Sequence, residues 1–109
     1  MKWIPLTEIA QLDAIDTEST QRKVLIFKHS TRCSISTTAL NRLERNWPAD
    51  NNNISVYHLD LLANRSVSNE VAKRYGVIHE SPQALIIDQK KCILHQSHLA
   101  INVAELSVL

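Results

Sequence analysis

The sequence predicts a single α/β domain over residues 1–109, with a mixed four-stranded sheet and helices on both faces. A length of 109 residues suits one domain, and no linker or internal repeat divides it. Short apolar runs alternate with helical stripes, and the first strand, helix and strand require a parallel pair. Two later apolar runs flank the polar turn 88–91, which predicts an antiparallel hairpin.

The first half of the chain contains two predicted helices with one predicted strand between them. Thr7 is a candidate N-cap of the first helix, and 24–27 is a compact apolar strand. Pro48 ends the second helix at Trp47, because a residue before proline avoids the helical conformation. The apolar stripes of these helices comprise Ile9, Leu12 and Ile15 in the first, and Ile35, Ala39, Leu43 and Trp47 in the second.

The second half begins with a predicted strand at 54–59, followed by a helix for which Ser68 is the natural N-cap. Gly76, the only glycine in the chain, falls where this helix needs a left-handed residue to end. The remaining predicted elements are the hairpin strands 84–87 and 92–95 and a short terminal helix capped by Asn102.

Charge and hydropathy exclude several classes of protein. Twelve basic and eleven acidic side chains give a net charge of +1 without long runs of one sign, so we expect no nucleic-acid or membrane partner. The apolar N-terminal patch stops at Glu8, which is too short for a signal-peptide core or a spanning helix. We therefore expect a cytoplasmic protein in which Cys33 and Cys92 form no permanent disulfide.

Cys33 is the best candidate for chemistry because it lies between the 24–27 strand and the following helix. The start of a helix presents unpaired N–H groups and the positive end of the helix dipole, and both favour a thiolate. Arg32 and His29 are candidate positive charges nearby. Ser36 stands where a dithiol oxidoreductase has its second cysteine, so the C-x-x-S pattern predicts chemistry with one thiol.

Each of the other candidate residues has two interpretations. His29 either tunes the reactive thiol or only ends the strand, and Arg32 either interacts with the thiolate or faces solvent. Cys92 is expected to be a small core side chain, with a resolving thiol as the alternative. His95 and His98 are close in sequence, but no second ligand pair completes a tetrahedral zinc site, so no metal site is predicted.

Two segments resemble the thioredoxin fold. Residues 72–77 are similar to a helix end in thioredoxins, and Pro82 precedes the 84–87 strand where that fold has its cis-proline. The W-C-G-P-C motif of thioredoxins is absent. The resemblance implies a thioredoxin-like arrangement in which Pro82 faces Cys33 across the fold.

The chain resembles more closely the YtxJ family, the monothiol bacilliredoxins of the bacillithiol system. The segments that carry this resemblance are 28–36, 67–69, 79–84 and 97–98, with Ser34 in place of an expected proline. The family implies that the Cys33 thiolate removes bacillithiol, a low-molecular-weight thiol, from mixed disulfides on client proteins.

Further site roles follow from this resemblance. The Ser36 hydroxyl is expected to hydrogen-bond the thiolate, and Arg32 to favour the anion. Ser81 and Pro82 are expected to place backbone groups beside the bound disulfide.

The same resemblance implies the molecules that take part. Bacillithiol is the co-substrate, bacillithiolated proteins are the clients, no cofactor is tightly bound, and a flavoprotein disulfide reductase is a further candidate partner. Two alternatives stay open: a noncatalytic thioredoxin-fold adaptor, and an iron-sulfur cluster carrier like the monothiol glutaredoxins. Ser34 and Ile35 replace the glycine and phenylalanine of the glutaredoxin C-G-F-S motif, which weighs against cluster binding.

Overall fold

The computed structural model describes residues 1–108 of the chain. The elements are β1 (Ile4–Pro5), α1 (Ala10–Glu18), β2 (Lys23–His29), α2 (Ser34–Asn46), β3 (Ile54–Asp60), α3 (Arg65–Tyr75), β4 (Gln83–Asp88), β5 (Lys91–Ser97), a 3₁₀ turn (His98–Ala100) and α4 (Val103–Ser107). From α1 onward, this order of helices and strands confirms the prediction. Within these residues, no helix has the length and apolar character needed to cross a bilayer.

The sheet has five strands in the order β1-β3-β2-β4-β5, so the predicted number of four is wrong by one edge strand. The central strand β2 is parallel to β3 and antiparallel to β4, and β5 completes the predicted hairpin. β1 has two residues, Ile4 and Pro5, which pair with Tyr57 and His58 of β3. So short a run has no alternating pattern, and proline is tolerated there because β1 is at the edge.

The side chains of β2 alternate between two hydrophobic cores, one on each face of the sheet. Val24 and Ile26 pack with residues of α1 and α3, and Leu25 and Phe27 pack with residues of α2 and α4. Lys28 and His29 continue this alternation at the end of the strand. Lys28 therefore contacts α3 and His29 contacts α2, one polar residue on each face.

Two helices begin differently from the prediction. Thr7 is not the cap of α1, because the helix begins at Ala10 with Ile9 in the N-cap position and no side-chain cap. The Gln11 side chain instead accepts hydrogen bonds from the N–H groups of Thr7 at 2.8 Å and Glu8 at 3.0 Å. α3 begins at Arg65, so Ser68 is a buried residue inside the helix and not its N-cap. A polar side chain that could cap a helix can also bond another part of the chain. The sequence does not show which of the two it does.

The predicted helix ends agree with the structure. Gly76 is the C-cap of α3 with φ 65° and ψ 34°, the left-handed conformation that glycine adopts at low cost. α2 ends at Asn46, and the next residue, Trp47, has an extended backbone conformation before Pro48. The Asn102 side chain accepts a hydrogen bond from the Glu105 N–H at 3.1 Å and so caps α4.

The end of β2 and the start of β4 lie at the same end of the sheet. In this antiparallel pair, Lys28 lies opposite Gln83. The segment after β2 leads to Cys33, and the segment before β4 contains Pro82. The topology therefore places both segments at one end of the molecule.

Candidate active site

Cys33 is the N-cap residue of α2, at the predicted junction between strand and helix, with φ −110° and ψ 120°. Its N–H donates to the Ser30 carbonyl at 3.1 Å, and its carbonyl accepts the Thr37 N–H at 3.1 Å. The thiol is free, and the residue is half-buried. These backbone bonds hold the thiol at a position that usually carries a side-chain hydrogen-bond acceptor.

The first turn of α2 offers donors to a thiolate at this position. No side chain caps α2, and the first N–H groups of any helix have no acceptor within the helix. A thiolate accepts such hydrogen bonds, and the positive end of the helix dipole favours its charge. The start of α2 therefore leaves N–H donors without a side-chain acceptor next to Cys33, whose own Sγ caps none of them.

Ser36 is fully buried, and its hydrogen bonds go to residues other than Cys33. Its Oγ accepts the Ser30 N–H at 3.0 Å and lies 2.7 Å from His29 Nδ1. A serine hydroxyl has one proton to donate, and the short contact with the imidazole occupies this hydroxyl. Ser36 thus joins α2 to the end of β2 and to the loop before Cys33, in place of the expected bond to the thiolate.

His29 is buried and does not supply the positive charge expected from the sequence. Burial lowers the pKa of its imidazole, and the neighbouring His58 lowers that pKa further, against the opposing effect of Asp60. The His29 ring centroid lies 5.4 Å from that of His58 and 6.1 Å from that of Phe27. His29 is therefore a neutral hydrogen-bond partner of Ser36 at neutral pH.

The remaining candidates contribute less to this site. The side chain of Arg32 faces solvent, which agrees with one of its two interpretations. Cys92 packs against the core between the sheet and helices α1 and α3, where its Sγ donates to the Leu94 carbonyl at 3.3 Å. Burial raises the pKa of the Cys92 thiol, so it stays protonated. In residues 1–108, no three His, Cys, Asp or Glu residues are placed to hold a metal ion.

The loop between α3 and β4 contains a cis peptide bond at Ser81-Pro82, as the thioredoxin resemblance implies. Pro82 is buried, and its carbonyl accepts the His98 N–H at 3.0 Å. The Ser81 hydroxyl is buried without a hydrogen-bond partner in the described part of the chain. Of these two residues, Pro82 anchors the loop through its carbonyl, and the Ser81 side chain does not.

A second polar cluster, Lys28, Ser68 and His79, was not predicted. Lys28 Nζ lies 3.2 Å from the Ser68 carbonyl oxygen and 3.2 Å from His79 Nδ1. Burial lowers the pKa of Lys28 to about 8. The sequence does contain a signal, because Lys28 occupies the next inward position after Val24 and Ile26, and buried lysine is rare.

This fold, with a free cysteine at the start of α2 and a cis-proline before β4, places the protein in the thioredoxin-fold class. The family model of the monothiol bacilliredoxin BrxC matches residues 4–106, nearly the whole chain. The chain belongs to this family, which confirms the resemblance noted from its sequence. Family and fold together support a thiol redox function.

Solved structures agree with this assignment. A proposed oxidoreductase with a thioredoxin fold is 30% identical, with a TM-score of 0.78, and the match covers 94% of this chain and 88% of that one. Thioredoxin from Fasciola hepatica is 18% identical, with a TM-score of 0.72 and coverage of 94% and 90%. Thioredoxin from Trypanosoma brucei brucei is 13% identical, with a TM-score of 0.75 and coverage of 97% and 85%. The two thioredoxins support the fold alone.

Proposed function

We propose that this protein removes bacillithiol from mixed disulfides on client proteins, with the Cys33 thiolate as nucleophile. The observation that carries the proposal is a half-buried free thiol at the uncapped start of α2 in a monothiol bacilliredoxin. The uncapped N–H groups stabilise the anion that attacks a disulfide.

The reaction consists of two thiol-disulfide exchanges. The Cys33 thiolate attacks the bacillithiol sulfur of the mixed disulfide, a new disulfide forms between them, and the client leaves as a thiolate. A second bacillithiol, as its thiolate, then attacks the bacillithiol sulfur on Cys33. This step releases the Cys33 thiolate and bacillithiol disulfide, so no electrons are gained or lost overall.

The arrangement of the chain supports an external second thiol. Ser36, at the position of a resolving cysteine, has no sulfur, and its hydroxyl is occupied by His29 and Ser30. Cys92 is a protonated core thiol in β5. The bacillithiol bound to Cys33 is therefore removed by a second thiol from solution.

The cellular setting of this reaction is also part of the proposal. A bacillithiol pool exists in a reducing compartment, so the protein works in the cytoplasm. A flavoprotein disulfide reductase would return bacillithiol disulfide to the thiol form. Bacillithiol acts as a co-substrate in this scheme, and the protein needs no tightly bound cofactor.

Transfer from a bacillithiolated client tests the proposal directly. Wild-type protein should remove bacillithiol from the client, and mass spectrometry should find bacillithiol as an adduct on Cys33. Cys33→Ala should abolish the transfer, whereas the control Cys92→Ala should retain it. Equal rates for wild type and Cys33→Ala would contradict the proposed nucleophile and leave a noncatalytic adaptor as the better description.

A further inference from the structure

Lys28 is a buried cation that the proposed reaction does not use. Its side chain has no exposed surface, and its Nζ contacts the Ser68 carbonyl oxygen and His79 Nδ1, both at 3.2 Å. Among residues 1–108, neither of these hydrogen-bond partners is a carboxylate. A buried ammonium without a counter-ion is costly, so its placement beside the loop before β4 calls for an explanation.

The contact with Lys28 determines which nitrogen of His79 carries the proton. An ammonium group donates hydrogen bonds and accepts none, so His79 Nδ1 must be the acceptor. Burial, then Lys28 and then Arg65 lower the pKa of His79, against the opposing effect of Glu80. The ring is therefore neutral at neutral pH, with its proton on Nε2.

The ring geometry directs this proton outward. His79 Nδ1 points at a fully buried amine, yet His79 is an exposed residue. Nε2 lies on the side of the ring away from this amine, and none of the hydrogen bonds within residues 1–108 uses it. His79 stands two residues before the cis Ser81-Pro82 bond. The loop thus carries a fixed donor at the end of the sheet that also carries Cys33.

The charges around this donor favour an anionic acceptor. Lys28 of β2 and Arg65 of α3 both act on His79 as positive charges. The one acidic side chain acting on it, Glu80, lies 3.6 Å from His98 Nδ1. A carboxylate is a strong acceptor of an N–H bond in positive surroundings.

We propose that the His79 Nε2–H hydrogen-bonds a carboxylate of the low-molecular-weight thiol during exchange at Cys33, and that Lys28 is the positioning residue that fixes this tautomer. This inference rests on the proposed function and names the chemical feature of the thiol that is recognised. Thiols without a carboxylate gain nothing from this contact.

Two substitutions of His79 separate recognition from structural support. In His79→Asn, the amide oxygen can still accept from Lys28, but no donor reaches the Nε2 position. In His79→Gln, the amide nitrogen can reach the Nε2 position, but the inward acceptor is lost. The Asn variant should therefore keep wild-type stability and bind the acidic thiol poorly, and the Gln variant should show the reverse.

The substrates are client mixed disulfides of one carboxylate-bearing low-molecular-weight thiol and of the same thiol with its carboxylates esterified. For wild type, KM should be lower for the acid form by about tenfold, the value of one hydrogen bond to a charged group. His79→Asn should remove this preference by raising KM for the acid form without changing kcat. His79→Gln should keep most of the preference.

Lys28→Met provides a second route to the same test. An apolar side chain of similar length is tolerated where a buried charge was, so this variant should fold. The Ser68 hydroxyl, whose Oγ lies 3.3 Å from His79 Nδ1, remains as a weaker neutral donor to this nitrogen. The variant should therefore lose part of the preference for the acid form and keep its kcat for the ester.

The proposal is overturned if wild type turns over both substrates with equal KM, or if His79→Asn keeps the preference while His79→Gln loses it. The latter result would assign His79 a structural role only. Failure of the proposed function is distinguishable, because wild-type protein would then turn over neither substrate.

Discussion

Ser36 shows how a single residue changes the chemistry of this site. It stands where a dithiol enzyme has its resolving cysteine, yet it is fully buried and bonds His29 and Ser30. Because Ser36 has no sulfur, an external thiol must complete the second exchange. The hydroxyl instead joins the loop before Cys33 to the end of β2.

We expect Ser36→Ala to lower the free energy of unfolding by about 1–3 kcal/mol, because His29 Nδ1 and the Ser30 N–H would lose a buried partner. Urea unfolding followed by circular dichroism measures this change. Thr37→Ala is the matched control, since that exposed hydroxyl bonds the Cys33 carbonyl at 3.3 Å and should contribute little. Equal losses in the two variants would contradict the role given to Ser36.

Ser81 should respond in the opposite way. Its hydroxyl is buried without a partner among the described residues, so removing it relieves an unfavourable burial. We expect Ser81→Ala to leave the free energy of unfolding unchanged or to raise it by up to about 1 kcal/mol. Thermal and urea unfolding measure this change, and a clear loss of stability would mean that the hydroxyl has an unrecognised partner.

At the scale of elements, some helix ends are decided by the local sequence and others by tertiary contacts. Gly76 ends α3 as predicted, because a left-handed C-cap is a local backbone requirement. Ser68 was expected to begin α3, but it lies within the helix, where it contacts His79 and Lys28. From the sequence alone, a serine can be interpreted equally well as a helix cap or as a buried hydrogen-bonding residue. Its neighbours in space decide between the two.

Gly76→Ala should destabilise the protein by about 1–2 kcal/mol, since alanine is strained in the left-handed conformation. A β-carbon at this position meets no heavy atom within 4 Å, so the cost comes from the backbone alone. Gly76→Asn should lose less, because asparagine tolerates this conformation better. Chemical denaturation of both variants measures the difference, and a larger loss for asparagine would contradict this explanation.

At the scale of the whole molecule, the end of β2 connects the sheet to the helices on both faces. His29 bonds Ser36 of α2 on one face, and Lys28 bonds the Ser68 carbonyl of α3 on the other. Two adjacent residues of one strand thus contact one helix on each face of the sheet. This arrangement requires two polar groups to be buried at the end of an otherwise apolar strand.

The buried amine of Lys28 predicts a pH dependence of stability. Its pKa is lowered from 10.5 to about 8 in the folded state. Between these values the unfolded chain binds more protons than the folded one, so this group makes stability rise with pH. The gain over this interval is at most about 3 kcal/mol, because each pKa unit corresponds to 1.36 kcal/mol.

Urea unfolding of wild type and Lys28→Met across this interval measures the effect. The difference in free energy of unfolding should shift in favour of wild type as pH rises. The contribution of Tyr57, whose pKa burial and Glu18 raise to about 12, is common to both proteins and cancels. Lys73→Met, at an exposed lysine of α3, should follow wild type. Parallel curves for wild type and Lys28→Met would contradict the prediction.

Much of the fold was predictable because its signals are local. The alternation of buried strands with helices, the ends of α2 and α3 and the hairpin all follow from backbone preferences of short segments. β1 was not predictable, since its two residues become a strand only by pairing with β3. Cys33 at the start of α2 was predictable for the same local reason, whereas the partners of Ser36 and the cluster around His79 were not.

The sequence by itself determined the order of elements from α1 onward, the position of Cys33 at a helix start and the serine in place of a second thiol. Only the tertiary structure decided what Ser36 and Lys28 contact. Lys28 meets Ser68 and His79 across 40 and 51 residues of chain. Helices and strands depend on neighbours a few residues away, whereas a buried hydrogen bond between distant segments depends on how the whole chain packs.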